Sequence, residues 1–209
     1  ILGQAEYGLY GIANSAMSYV GLLNFGIGGT IVRYLSKYRA AGDRKAEART
    51  AGLFIKIYSV ICGLVLIAGF AFAANVQVYS RSLTMEETDK LRVLIVLMTI
   101  NMAVFLPFSV FSSIVLAHEQ YVFSKAVGML STVAGPLLNI ALLYCGFGSV
   151  GLVVSSTLIN LVTYSLYTGY SVRRLKVYPS FGKADSGLLK EILHFSAYVF
   201  LASVVDVLY

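Results

Sequence analysis

Four stretches of this sequence run for at least 24 residues without an acidic or basic side chain. They cover residues 7–32, 57–80, 93–118 and 126–172. A bilayer core about 30 Å thick is crossed by about 20 helical residues, so the first three stretches can each cross once and the last can cross twice. Lipid offers no partners to open backbone groups, which favours helices. We therefore predict an all-α integral membrane protein, folded as a multi-span helical bundle.

The boundaries of the predicted spans follow from the charged and turn-forming residues between the apolar stretches. A Gly-rich segment at residues 145–151 divides the longest stretch, because glycine permits the chain to reverse. Five complete spans result, over about 7–32, 53–76, 92–117, 124–145 and 149–171. Residues 192–209 form the truncated start of a sixth span, and residues 1–191 hold the complete ones. Since the chain begins at Ile1 and ends inside an apolar run, we expect a fragment of a longer protein.

The basic residues alternate between loops in a way that predicts the orientation. The formal charge of +6 would also fit a nucleic-acid partner. However, thirteen lysines and arginines lie in the loops of one side and three in the loops of the other. The positive-inside rule makes the basic loops 33–56 and 171–190 cytoplasmic. Because the charge follows the topology, we expect no nucleic-acid partner.

The loops carry three further local predictions. Thr84 and Glu87 have the spacing of a capping box, which places a helix start in water before the third span. The segment 38–47 is expected to form either a turn followed by a short charged helix at the membrane surface, or a solvated loop with affinity for anionic lipids. Pro107 and Pro136 lie inside spans and favour kinks, because each removes a backbone donor.

Each complete span carries one stripe of small and polar residues at helical spacing. Such a stripe is either a seam between packed helices or part of a water-filled cavity that passes a polar solute. On the second interpretation the candidate cavity residues are the amides Asn101, Asn139 and Asn160. Arg33 lies near the inner end of its span, where it either extends toward the interface or binds a diphosphate.

Asp206 is the one carboxylate predicted to lie deep within a span. It is a candidate for binding a proton, a cation such as sodium, or a sugar hydroxyl. The alternatives are a carboxylate buried against a further helix, and one near the outer interface if the span starts earlier. No catalytic constellation accompanies these residues: His118-Glu119 begins an HExxH motif, but the second histidine is missing. Cys62 and Cys145 lack metal-ligand spacing. We therefore expect no enzyme activity, no metal and no cofactor.

Four segments in the first fifth of the chain resemble a known family. They are residues 2–10 (LGQAEYGLY), Gly26-Ile27-Gly28, Arg33-Tyr34-Leu35 and the basic turn at 39–43. This pattern resembles the polysaccharide-biosynthesis or oligosaccharide flippases, whose superfamily includes multidrug and toxin exporters. The resemblance implies the N-terminal lobe of a two-lobed, MATE-like transporter. It also implies a lipid-linked oligosaccharide as partner, carried on undecaprenyl diphosphate across the bacterial cytoplasmic membrane for O-antigen, capsule or exopolysaccharide.

Three other functions are alternatives to a flippase. A multidrug exporter of the same fold would take a soluble cation, and the aromatic residues of the spans suit either cargo. An integral membrane enzyme of polysaccharide assembly would need a large outer loop, whereas the predicted outer loops here are short. A scaffold that transports nothing is the third alternative. Such a protein would not require the polar stripe that each of these spans carries.

Overall fold

The computed structural model describes residues 3–21, 27–79, 83–182 and 186–208. Within these ranges the chain forms nine helices and no strand, which confirms the all-α prediction. The helices are α1 (Gln4–Gly21), α2 (Ile27–Ala40), α3 (Arg44–Ala74), α4 (Val76–Tyr79), α5 (Met85–Phe105), α6 (Ser109–Ala117), α7 (Tyr121–Tyr144), α8 (Gly148–Arg173) and α9 (Ser186–Leu208).

Three of these helices, α3, α7 and α8, are long and apolar enough to cross a membrane, and α5 with α6 forms a bent pair that would make a fourth crossing. The bend of 41° falls at residues 106–108, where Pro107 cannot donate a backbone hydrogen bond. The first predicted span, 7–32, falls on α1 and α2, but residues 22–26 between them lie outside the described part. That span and the one over 192–209, on α9, stay predictions.

The structure confirms two of the local predictions. Thr84 caps α5 in a complete capping box: its hydroxyl accepts from the Glu87 N–H, and the Glu87 carboxylate accepts from the Thr84 N–H at 2.9 Å. The Gly-rich segment forms the turn between α7 and α8, where Gly146 has a left-handed φ of +82°. Glycine adopts this conformation without a steric penalty.

The prediction of a separate charged surface helix was wrong. The chain does turn at residues 41–43, but the basic residues that follow form the first turns of α3, which runs unbroken to Ala74. Asp43 caps this helix by accepting a hydrogen bond from the Ala46 N–H at 2.9 Å. Because α3 contains no proline, its charged start and its apolar span form one continuous helix.

Three groups of buried apolar residues hold the described helices together, two large ones and a small one formed by Val115, Val127 and Tyr167. The largest packs α2 and α3 against α6 and includes Ile31, Phe54 and Ile114, which are fully buried. The second packs α1 against α5 around Ala13 and Leu94. In contrast, α7 buries only Val127 among its described side chains. Apolar side chains also lie exposed along α3 and α8, as expected for surfaces that face lipid.

The contacts between loops identify the two ends of the bundle. At one end, the Arg39 guanidinium donates to the Ala117 carbonyl at 2.7 Å, which joins the α2–α3 turn to the α6–α7 turn. Residues 174–182 after α8 reach the same end. At the opposite end, Lys90 at the start of α5 pairs with Glu6 of α1 at 3.5 Å. We call the first of these the basic end, because residues 33–56 supply seven lysines and arginines there.

Candidate functional site

A polar cavity of about 380 Å³ lies between α1, α5, α8 and the α5–α6 bend. We call it the amide cavity, because asparagine side chains from three helices line it. Its lining residues are Tyr10, Asn14, Met17, Met98, Asn101, Met102, Phe105, Leu106, Ser109, Val153, Ser156, Asn160 and Tyr164. The cavity therefore combines neutral hydrogen-bonding groups with methionine and aromatic side chains.

The amides of α5 and α8 are joined by hydrogen bonds at this cavity. The Asn160 amide donates to Asn101 Oδ1 at 3.1 Å, and the Asn101 amide donates to the Thr157 hydroxyl. Thr157 in turn donates to the Val153 carbonyl at 2.8 Å, which fixes its hydroxyl as an acceptor for Asn101. Since an asparagine amide offers two donor hydrogens and two acceptor lone pairs, both amides keep hydrogen-bonding capacity beyond this pairing.

The bend between α5 and α6 shapes one wall of the amide cavity. Leu106 and Ser109, on either side of Pro107, both line it. The Ser109 hydroxyl donates to the Leu106 carbonyl at 2.6 Å, so it satisfies a carbonyl at the end of α5. A straight span would continue α5 past this point. The bend instead brings the start of α6 into contact with the cavity.

An apolar pocket of about 420 Å³ adjoins the amide cavity. Phe105 and Tyr164 line both spaces, and their rings stack with centroids 5.4 Å apart. Val104, Phe108 and Leu161 complete much of the pocket, and all three are exposed on the apolar outer surface. A molecule with a polar head and an apolar tail would therefore find matched surfaces on the two sides of the Phe105–Tyr164 pair.

The structure brings together some of the predicted site residues and separates others. Asn101 and Asn160 meet at the amide cavity, whereas Asn139 lies on α7 and does not line it. Arg33, on α2, is also outside the cavity, and its guanidinium lies over the Phe195 ring of α9 at 4.2 Å. Asp206 belongs to α9, but its side chain lies outside the described part of the structure.

The stripe on α8 divides into a cavity half and a seam half. Toward its C-terminus the stripe packs on α7: Thr163 hydrogen-bonds with Ser131 at 2.8 Å, and the Tyr170 hydroxyl donates to Gln120 at 3.0 Å. Toward its N-terminus, Ser156 and Asn160 face the cavity. The stripe therefore packs against a neighbouring helix toward one end of α8 and lines a cavity toward the other.

Reasoning from the sequence missed several residues of the site, among them Thr157, Tyr164 and Tyr10. Thr157 and Tyr164 lie three residues before and four residues after Asn160, so helical spacing places all three on one face. What distinguishes them from the other polar residues of α8 is their position next to α5, which the sequence does not show. Tyr10 of α1 likewise carries no signal of its own in the sequence.

Comparison with known proteins gives one result that covers the whole chain. The family model described as "Polysaccharide biosynthesis protein" matches residues 1–209. No curated protein and no solved structure matches the chain significantly. Together with the apolar helices, the family match indicates a multi-pass membrane protein with a role in polysaccharide export. The chain belongs to the polysaccharide biosynthesis protein family.

Proposed function

We propose that this chain is the N-terminal lobe of a MATE-like flippase. The whole protein would move an undecaprenyl-diphosphate-linked oligosaccharide across the bacterial cytoplasmic membrane by alternating access. The observation that carries the proposal is the amide cavity lying beside the apolar pocket, with Phe105 and Tyr164 shared between them. A lipid-linked sugar needs both surfaces at once.

The polar groups of the amide cavity suit the sugar part of such a cargo. Sugar hydroxyls both donate and accept hydrogen bonds, and the Asn101 and Asn160 amides do the same. The apolar pocket would accept the first units of the prenyl chain, while the rest of the chain stays in lipid. Conversion between inward-open and outward-open states would then move only the hydrated head across the bilayer.

The basic end is proposed to face the cytoplasm. It carries residues 33–56 and 171–182 of the two basic loops, which hold ten of the sixteen lysines and arginines of the chain. The two turns and the 174–182 segment meet there, so the positive charge of separate loops is gathered on one face. Cargo made in the cytoplasm would enter from this side.

A multidrug exporter of the same fold is the alternative, and the cavity chemistry separates the two. The thirteen residues that line the amide cavity include amides and hydroxyls but no carboxylate. A cationic drug would be bound better by an acidic side chain, whereas the sugar part of the lipid-linked cargo needs none. These lining residues therefore support the oligosaccharide. A proton or sodium ion that couples through Asp206 remains part of the proposal.

The test uses a strain in which the intact gene is deleted and then restored with variants. Asn101→Ala and Asn160→Ala should cause a finished polyprenyl-diphosphate oligosaccharide to accumulate in the lipid extract, as measured by mass spectrometry, with surface glycan reduced. Asn139→Ala is the matched control, since it removes the same amide from a helix outside the cavity, and it should restore export. Normal lipids and glycan in the deletion strain, with raised sensitivity to cationic toxins, would instead support an exporter.

A further inference from the structure

A separate pocket of about 440 Å³ lies at the basic end, between the first turns of α3 and the 174–182 segment. Four cationic side chains line it: Arg44, Lys45 and Arg49 of α3, and Lys176 of the segment. The pocket shares no lining residue with the amide cavity or the apolar pocket. It is therefore a distinct site, which we call the basic pocket.

Three contacts with α3 hold the 174–182 segment in place and so build the basic pocket. The Ser180 N–H donates to the Ala48 carbonyl at 2.8 Å. Lys56 donates to the carbonyls of Phe181 and Gly182, at 3.2 and 2.9 Å. At Gly52, an added Cβ would lie 2.1 Å from the Ser180 carbonyl oxygen. Only glycine allows the segment to approach the helix this closely.

Lys176 enters the basic pocket from an unusual backbone conformation. Its φ of +57° lies in the left-handed region, which is unfavourable for a residue with a Cβ. The next residue keeps it there: Val177 is buried, and its N–H donates to the Ser171 carbonyl at 3.2 Å. Backbone strain of this kind is retained where the surrounding structure imposes it, often at functional sites.

Among the described residues, a single carboxylate at the pocket wall offsets part of the charge of the basic pocket, because Glu47 interacts electrostatically with Arg44. None of the four cations has an ion-pair partner within 4.0 Å in the described ranges. The carboxylate at the pocket wall, Glu47, is turned inward: its side chain is 4% exposed and lies 3.3 Å from the His118 ring. The N-terminus of α3 adds a partial positive charge. Within the part of the chain that the structure describes, the pocket thus presents four cations that have no ion-pair partner.

The aromatic residues around the basic pocket indicate where its ligand comes from. Tyr178 lines the pocket and Phe181 follows it, with 61% and 60% of their surfaces exposed. Exposed aromatic side chains next to basic residues are typical of the interface between membrane and water. A small soluble anion would gain no binding free energy from these rings, whereas a lipid would contact them with its glycerol group and the first carbons of its acyl chains.

From these observations we infer that the basic pocket binds the phosphate group of an anionic membrane lipid. Guanidinium groups bind phosphate oxygens in a fork, and lysines add charge without a fixed geometry. The bound lipid would tie the 174–182 segment to the start of α3 at the membrane surface. This site does not depend on the cargo of the amide cavity, so each proposal can be refuted without affecting the other.

The test measures retention of phosphatidylglycerol by the full chain in neutral detergent, using native mass spectrometry. A charge-assisted hydrogen bond to a bound phosphate contributes at least about ten-fold to its affinity, whereas an exposed charge outside the pocket acts only through a field that salt screens. Arg49→Gln and Lys176→Asn should therefore each weaken retention by about ten-fold, and together by about 100-fold. Asparagine is chosen at position 176 because it tolerates the left-handed conformation. Circular dichroism checks that each variant is folded.

Arg174→Gln is the matched control, because it removes the same charge two residues before Lys176 but outside the basic pocket. It should change retention by less than about two-fold. An equal loss in this control would overturn the inference, since only general surface charge would then matter. Equal retention of phosphatidylcholine would overturn it as well. Displacement of the lipid by millimolar inorganic phosphate would assign the pocket to a soluble anion instead.

Discussion

Replacing Gly69 with alanine should force α3 and α5 apart. A Cβ at this position would lie 2.2 Å from Thr99 Cγ2 and 2.3 Å from Thr99 Oγ1. Ordinary contact begins at 3.4 Å, so the two helices would have to separate by about 1.2 Å. Thr99 cannot turn away easily, because it is fully buried and its hydroxyl donates to the Ile95 carbonyl at 2.7 Å.

The size of this effect follows from two opposing contributions. Overpacking a well-packed interior costs about 1–3 kcal/mol, and two contacts this short place Gly69→Ala near the upper value. Alanine recovers about 1 kcal/mol relative to glycine inside a helix. The net loss in free energy of unfolding is therefore about 2 kcal/mol. Helices in lipid gain little hydrophobic free energy by packing together, so close van der Waals contacts of this kind contribute much of the free energy of their association.

The assay is unfolding of the purified protein from mild detergent into SDS, followed by circular dichroism. Gly63→Ala is the control on the same helix, because a Cβ there meets nothing within 4 Å. It should leave stability unchanged or raise it by up to about 1 kcal/mol. Adding Thr99→Ala to Gly69→Ala should recover part of the loss, by at least about 1 kcal/mol of coupling. If Gly69→Ala were as stable as Gly63→Ala, the close contact between α3 and α5 would be refuted.

Three further predictions concern the ends of the bundle. Gly52→Ala should push the 174–182 segment off α3, so a cysteine placed at Val177, which is buried in the parent, should react with a water-soluble maleimide several-fold faster; an unchanged rate would contradict the close packing. Thr84→Ala removes the capping box of α5 and should lower the free energy of unfolding by about 1 kcal/mol in the same SDS assay, while an unchanged value would mean that the cap contributes nothing. Cysteines placed at Lys45 and Glu86 in the intact protein should label from opposite faces of the membrane, and labelling of both from outside would reject the proposed orientation.

Local structure could be read from the sequence wherever it depends on neighbouring residues. The apolar stretches predicted helices, because a chain in lipid must satisfy its own backbone. The capping box at Thr84 and the turn at Gly146 were equally predictable, since their geometry is fixed within a few residues. The family resemblance also came from short segments of the chain. The extent of α3 was misjudged because a charged segment and an apolar segment can share one helix.

The arrangement of the site was decided by tertiary structure. Helical spacing placed Asn101, Asn139 and Asn160 on polar faces, but it could not determine which faces meet. Packing of α5 against α8 selected Asn101 and Asn160, and it left Asn139 outside the cavity. The basic pocket depends in the same way on a contact between Ser180 and Ala48, more than 130 residues apart in the chain. A sequence pattern specifies what each helix presents, whereas the partner that it meets is set by the packing of distant segments.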